Sequence, residues 1–190
     1  MSTDRHAALP VGPRPVPLHA RSDRWRPGVS AWTGLTVIAG AAIVADQVTK
    51  SAISSSLTLG QSVDIAPTLS LWHVRNDGIA FGIFTKRLPV VIGLTALALT
   101  WMLAYFARSG GRHRLTPVAI GLLLGGSVLN LVDRIRNGYV TDFIYLHWFS
   151  AFNAADSFIV VGVCLLLYSL FGGDEREREG EAMLEPSSRP

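Results

Sequence analysis

Ionisable side chains are scarce in the middle of the chain. Residues 31 to 171 hold only 15 of the 31 Asp, Glu, Lys and Arg residues, and the polar side chains there recur in small groups. The groups are Asp46 with Lys50, Asn130 with Asp133 and Arg134, and Asn153 with Asp156. Residues three or four positions apart share one face of a helix, so each group projects from a single face.

Two of these groups contain opposite charges. Asp46 and Lys50 can neutralise one another, and so can Asp133 and Arg134. For both pairs the sequence favours structural pairing over direct catalysis, because charges in an apolar surrounding normally pair.

Asp142 and Asp156 have no cation that is obviously theirs. Two carboxyl groups that approach closely in a low dielectric share one proton, because the pKa of one of them is raised. The ionised member could then take a proton from water, while the protonated member polarises an amide carbonyl and later donates to the leaving nitrogen. The sequence thus predicts an aspartyl dyad.

Other chemistries find little support. A metal site needs clustered His or Cys, but His73 and His147 have no partner four residues away. Ser127 follows two glycines without the trailing glycine of a nucleophile elbow. We therefore expect no metal and no cofactor, and no nucleic-acid partner, since no phosphate loop or basic stripe is present.

Composition indicates what must position these residues. The 190 residues are 49% apolar and 16% charged, whereas soluble domains carry about 25% charged residues. A helix needs about 20 apolar residues to cross a bilayer. Four stretches meet this length, at 31–53, 88–107, 115–132 and 152–171. We predict an all-α membrane protein with four transmembrane helices, in which Gly121 and Gly125 mark a helix contact.

The basic residues orient these spans. Eleven of the 17 Lys and Arg residues lie in the two tails and in the loop between spans two and three, which predicts that both termini are cytoplasmic. Residues 1–30 form a Pro/Arg-rich tail that we expect to be disordered, and residues 172–190 a solvated tail or a frayed helix. The length of the basic stretch argues against a cleaved signal peptide over residues 1–45.

Two segments outside the spans have other patterns. Residues 54–87 alternate apolar and polar residues between turn signals, which predicts a small antiparallel sheet on the outer surface. Residues 139–152 are rich in aromatics, which predicts an interfacial segment. With this topology, three helices place their polar groups at the outer end of the bundle, and Asp142 joins them from the loop between spans three and four.

Five blocks of the chain resemble the bacterial lipoprotein signal peptidases, also called signal peptidase II. The blocks are Asp46-Gln47-Val48-Thr49-Lys50, Asn76-Asp77-Gly78-Ile79-Ala80-Phe81, Gly125 to Arg134, Val140-Thr141-Asp142-Phe143, and Phe149 to Asp156. They occur in order across all four spans. Leu129 stands where the family usually has glycine, and Asp77 where an uncharged residue is commoner, which bears on substrate fit rather than on the dyad.

The resemblance implies roles for the polar residues. Asp142 and Asp156 would be the catalytic aspartates. Seven residues would line or support the site: Asp46, Lys50, Asn76, Asn130, Asp133, Arg134 and Asn153. The implied substrate is a prolipoprotein cut just before a Cys that carries diacylglycerol, with membrane lipid around it and globomycin-type lipopeptides as competitors. The implied enzyme is a monomer in the bacterial cytoplasmic membrane with its site at the extracytoplasmic face.

Two alternatives belong to other functional classes. Buried Asp residues also relay protons or cations in small carriers, although here the charges lie at the rim of the spans and no internal repeat is visible. A silent membrane scaffold is the other alternative, in which Asp142→Asn would alter stability and no reaction.

Overall fold

A computed structural model describes the backbone of residues 26–78, 87–110 and 113–184, and the side chains of those residues as far as 171. Four helices and three strands occur there. The helices are α1 (Val29–Ser56), α2 (Leu88–Ser109), α3 (Thr116–Asn137) and α4 (Ala154–Leu184), and the strands are β1 (Ser62–Ala66), β2 (Leu69–Asn76) and β3 (Val140–Leu146). The N-terminal tail up to residue 25 lies outside the described residues, as do Ile79, Ala80 and Phe81 of the second sequence block.

Each of the four helices is long and apolar enough to cross a membrane, which confirms the predicted spans. Two helix ends differ from the prediction by five residues or more. Helix α3 continues five residues past residue 132, through Asp133 and Arg134, because both side chains find partners there. The backbone of α4 remains helical through Leu184, into the stretch predicted as a tail or a frayed helix.

Helix α3 is the centre of the bundle and packs against the three other helices. Small residues allow the close approach. A Cβ atom at Gly125 would lie 2.6 Å from the Ala39 carbonyl oxygen of α1, and one at Gly126 would lie 2.5 Å from the Ala155 carbonyl oxygen of α4. Gly121 also faces α1, so the predicted glycine contact is confirmed.

The three strands form one antiparallel sheet in the order β1-β2-β3. The first two strands confirm the sheet predicted for residues 54–87. The third comes from the segment predicted to be interfacial, where no strand was predicted. Val140, Asp142 and Phe143 are buried, and the strand supplies the hydrogen bonds that the second edge of β2 needs.

The order of elements places the sheet at one end of the bundle. Helices α1 and α3 end near the sheet, and α2 and α4 begin near it. Both strand β3 and the start of α4 therefore lie at the same end as the polar residues of α1 and α3.

Candidate active site

The first turn of α4 is held by a reciprocal pair of hydrogen bonds. The backbone N–H of Asp156 donates to Asn153 Oδ1 over 3.0 Å, and the backbone N–H of Asn153 donates to Asp156 Oδ2 over 3.1 Å. This is a capping box, in which the residue before the helix and the third helical residue satisfy one another. The box explains why α4 begins at Ala154 and fixes the position of the Asp156 carboxyl group.

Asp142 is held by two side-chain amides. Asn153 Nδ2 donates to its Oδ1 atom over 2.7 Å, and Asn76 Nδ2 of β2 donates to its Oδ2 atom over 2.8 Å. Asp142 is buried in β3, opposite Val74 of β2, which brings its side chain to the end of the bundle. Asn153 thus contacts both carboxyl groups of the predicted dyad.

Asn130 joins the pair to the rest of the bundle. Its Nδ2 atom donates to Asp156 Oδ1 over 2.9 Å, while its Oδ1 atom accepts from Lys50 over 2.9 Å and from Asn153 over 3.3 Å. Asp142 and Asp156 therefore accept hydrogen bonds from neutral amides. Neither lies within ion-pair distance of a Lys, Arg or His side chain in the described part of the chain.

Lys50 is the centre of a second cluster. Its ammonium group lies 2.6 Å from Asp46 Oδ2 and 2.8 Å from Asp133 Oδ2, and it also donates to Asn130. The other oxygen of Asp46 accepts the backbone N–H of Ala155 over 2.9 Å. The predicted pairing of Asp46 with Lys50 is confirmed, and this cluster joins α1 and α3 to the start of α4.

The predicted pairing of Asp133 with Arg134 is wrong. Adjacent residues on a helix point in different directions, so Asp133 turns toward Lys50 of α1. The buried guanidinium of Arg134 donates instead to the Asn130 carbonyl over 3.2 Å and to the Gly78 carbonyl over 2.6 Å. Arg134 therefore anchors the chain just after β2.

The electrostatics of Asp142 follow from its position. Burial, reinforced by the negative charge of Asp156, raises the pKa of Asp142 to about 6. The hydrogen bonds from Asn76 and Asn153 favour the ionised form and oppose this increase. A carboxyl group with a pKa of about 6 can both donate and accept a proton near neutral pH.

A cavity of about 620 Å³ opens on both carboxyl groups. Its polar wall contains Asn76, Asn130, Arg134, Asp142, Asn153 and Asp156. From there the cavity continues between α2, α3 and α4, where Thr95, Ser127 and Val160 line it. Residues from the segment 146–152 form another wall. The structure thus brings the nine sequence-predicted residues together: six line the cavity, and Asp46, Lys50 and Asp133 lie behind them.

One polar cluster was missed by sequence reasoning. Ser70 Oγ donates to Asp64 Oδ1 over 2.6 Å and lies 3.1 Å from His147 Nε2. The serine proton points to the carboxylate and not to the imidazole, so the cluster lacks the arrangement of a nucleophilic triad. The cluster joins β2 to the segment that follows β3 and lines the cavity. Sequence analysis did not find it, because Ser70 and His147 are 77 residues apart.

The fold and the site together define a multi-pass membrane protein with a carboxyl pair in a cavity at one end of its bundle. Residues 38–172 match the family model described as signal peptidase (SPase) II. The lipoprotein signal peptidase of Symbiobacterium thermophilum is 40% identical over 139 residues, covering 70% of this chain and 91% of that protein. That of Geobacter metallireducens is 35% identical, covering 75% and 93%.

A solved structure of a bacterial membrane enzyme agrees at the level of the fold. It is 27% identical, covers 88% of this chain and 98% of its own, and superposes with a TM-score of 0.71. The chain belongs to the signal peptidase II family of aspartic-type membrane peptidases. The predicted fold class, family and enzyme class are thereby confirmed, and the carrier alternative is not favoured.

Proposed function

We propose that this chain removes signal peptides from bacterial prolipoproteins, with Asp142 and Asp156 as the catalytic pair. The observation that carries the proposal is that both carboxyl groups line one cavity, share Asn153 as a hydrogen-bond partner and are held by neutral amides. Neutral donors hold a carboxyl group in place and favour its ionised form less strongly than a cation does, so the pair can still share one proton.

The reaction needs one carboxylate and one carboxylic acid. The carboxylate removes a proton from a water molecule, and the oxygen of that water attacks the scissile carbonyl carbon. The carboxylic acid donates a hydrogen bond to the carbonyl oxygen, where negative charge develops. As the C–N bond breaks, a proton passes to the leaving nitrogen, and the pair again holds a single proton.

The remaining predicted residues position this pair. Asn153, Asn130 and Asn76 donate to the two carboxyl groups and fix their orientation. Lys50 with Asp46 and Asp133 fixes α1 against α3 and the start of α4. We assign these residues to positioning, because their hydrogen bonds are directed at other protein groups.

The cavity supports a lipidated substrate. Beyond the carboxyl groups it runs along apolar residues of α4 such as Ile159 and Val160. A signal peptide that lies in the bilayer as a helix would place its end at the carboxyl groups, and a diacylglyceryl group on the next Cys would extend into the apolar part. Globomycin-type lipopeptides would occupy the same cavity as competitors, and the chain would act as a monomer.

The test is cleavage by the purified full chain in lipid. A preprotein with a diacylglyceryl-modified Cys should be cut just before that residue, and the unlipidated form should be cut far more slowly. Asp64→Asn is the matched control, because Asp64 is an exposed carboxylate on β1 away from the cavity. Equal cleavage of both substrates, or full activity of Asp142→Asn, would contradict the proposal.

The sidedness is part of the same proposal. Both termini would be cytoplasmic and the sheet with its cavity extracytoplasmic, as the distribution of basic residues favours. In a Cys164→Ala background, Gln61→Cys near β1 should react with an impermeant maleimide added to intact spheroplasts. Arg108→Cys at the end of α2 should react only after lysis, and the reverse pattern would contradict this orientation.

A further inference from the structure

Three hydroxyl groups that line the cavity have no hydrogen-bond partner in the described part of the chain: that of Ser150, which precedes α4, and two that lie within helices. The two within helices belong to Thr95 of α2 and Ser127 of α3, and these two helices pack against one another. Ser127 lies three residues before Asn130, and so about 4.5 Å farther from the sheet. The Ser127 hydroxyl is therefore on the apolar side of the carboxyl groups, and Thr95 lines the same cavity from α2.

Four of the five other threonines within these helices behave differently. Thr33, Thr36, Thr49 and Thr100 each donate to the carbonyl four residues earlier. This is the usual way in which a membrane helix satisfies a hydroxyl group, since lipid tails offer no acceptor. Thr100 lies in the same helix as Thr95 but is not among the residues that line the cavity.

We infer that Thr95 and Ser127 form a polar subsite that binds the ester carbonyls of the diacylglyceryl group of the substrate. The inference rests on the proposed function and specifies what the apolar part of the cavity recognises. A hydroxyl is a hydrogen-bond donor, and an ester carbonyl is an acceptor that finds no donor among lipid tails. The carbonyls within a signal-peptide helix already accept bonds from their own backbone.

The placement agrees with the chemistry of the substrate. The two esters are attached, through glycerol, to the sulfur of the Cys that follows the scissile bond, and this flexible linker extends farther than one helical turn. When that bond lies at Asp142 and Asp156, the esters reach the next helical turn of α3, where Ser127 projects into the cavity. The subsite would thus distinguish a lipidated Cys from a bare one by hydrogen bonds as well as by apolar contact.

The experiment compares two lipid groups on one preprotein. One substrate carries the diacylglyceryl group, and the other carries a dialkylglyceryl group whose ether linkages lack carbonyl oxygens. The full chain is reconstituted in an ether-linked phospholipid, so that esters come only from the substrate. We expect the wild type to show a lower KM for the ester substrate, by roughly fivefold for each hydrogen bond.

In the double variant Thr95→Val with Ser127→Ala, the ester and ether substrates should have the same KM. Both hydrogen-bond donors are then lost, while the shape of the side chains is largely retained. Thr100→Val and Ser169→Ala are matched controls whose hydroxyls bond within their own helices, and they should keep the gap. A gap that survives in the double variant would overturn the inference.

The two proposals fail in different ways. A wild-type chain that cleaves neither lipidated substrate contradicts the peptidase proposal. A wild-type chain that cleaves both with the same KM leaves the peptidase proposal intact and overturns the ester subsite.

Discussion

Two groups of carboxyl residues lie at the same end of the bundle and differ in their partners. Asp46 and Asp133 share the ammonium group of Lys50, whereas Asp142 and Asp156 receive hydrogen bonds only from neutral groups in the described residues. An adjacent cation favours the charged form of a carboxyl group more strongly than a neutral amide donor does, and Asp142 and Asp156 have no cation at ion-pair distance in the described residues. The contrast separates the residues that build the site from those that can exchange protons there.

The largest effect is expected from the proton-exchanging group. Asp142→Asn or Asp156→Asn should lower kcat by about 10²- to 10⁴-fold or more, because an amide cannot act as a general acid or base. The variants keep the size of the side chain and one of its two acceptor oxygens, but their amino group faces an N–H donor, so some stability is lost as well. The measurement is cleavage of a diacylglyceryl-modified preprotein, with thermal unfolding in lipid to verify the fold. A near wild-type rate in either variant would remove the dyad.

Substitution of Lys50 should lower the stability of the protein, because its cluster joins three helices. Lys50→Met leaves the buried Asp46 carboxylate without its cation, which should lower the free energy of unfolding by about 3–5 kcal/mol. Adding Asp46→Asn should recover part of this loss, because the unpaired charge is removed. Arg108→Met, at an exposed position, should change stability by about 0.5 kcal/mol or less. If Lys50→Met unfolds like wild type, the cluster does not hold the helices together.

A smaller effect is expected in the pH dependence. If Asp142 titrates as part of the catalytic pair, kcat/KM should show a limb near pH 6, where its pKa lies. Asn76→Ala removes a hydrogen bond that favours the ionised form, so the pKa of Asp142 should increase and the limb should move to higher pH. Asn137→Ala, an exposed amide at the end of α3, should leave the limb in place. An unmoved limb in Asn76→Ala would assign it to another group.

The smallest effect on stability is expected at Asp64, a carboxylate that is exposed and lies outside both groups. Asp64 is exposed and accepts a hydrogen bond from the buried Ser70 hydroxyl. Ser70→Ala should lower stability by only about 0.5–1.5 kcal/mol, because Asp64 and the exposed His147 can turn to water. Chemical unfolding in detergent measures this, with Ser62→Ala as the control. A loss as large as that of Lys50→Met would show that exposure does not distinguish these carboxylates.

The sequence predicted much of this arrangement because its signals are local. Apolar length located the spans, and spacing placed Asp46 beside Lys50 on one helix face. It also selected Asp142 and Asp156 as the carboxyl groups without a cation. These inferences require no knowledge of which helices are neighbours.

The errors concern contacts between distant segments. Strand β3 was interpreted as an interfacial segment, although Val140-Thr141-Asp142-Phe143 has the β-branched and aromatic content of a strand. The partner of Asp133 depends on how α1 packs on α3, through a contact between residues 83 positions apart. The spacing of charges along the chain predicted Arg134 as the partner of Asp133, since spacing carries no information about how α1 packs on α3.

The capping box at Asn153 and Asp156 makes secondary structure and chemistry depend on the same atoms. The side chain that starts α4 also holds Asp142, and the carboxyl group that closes its first turn is itself half of the pair. Completion of this turn and orientation of the two carboxyl groups consequently depend on the same hydrogen bonds. A chain whose fourth helix has not yet docked would therefore be inert, so the peptidase would acquire activity only when the bundle is complete.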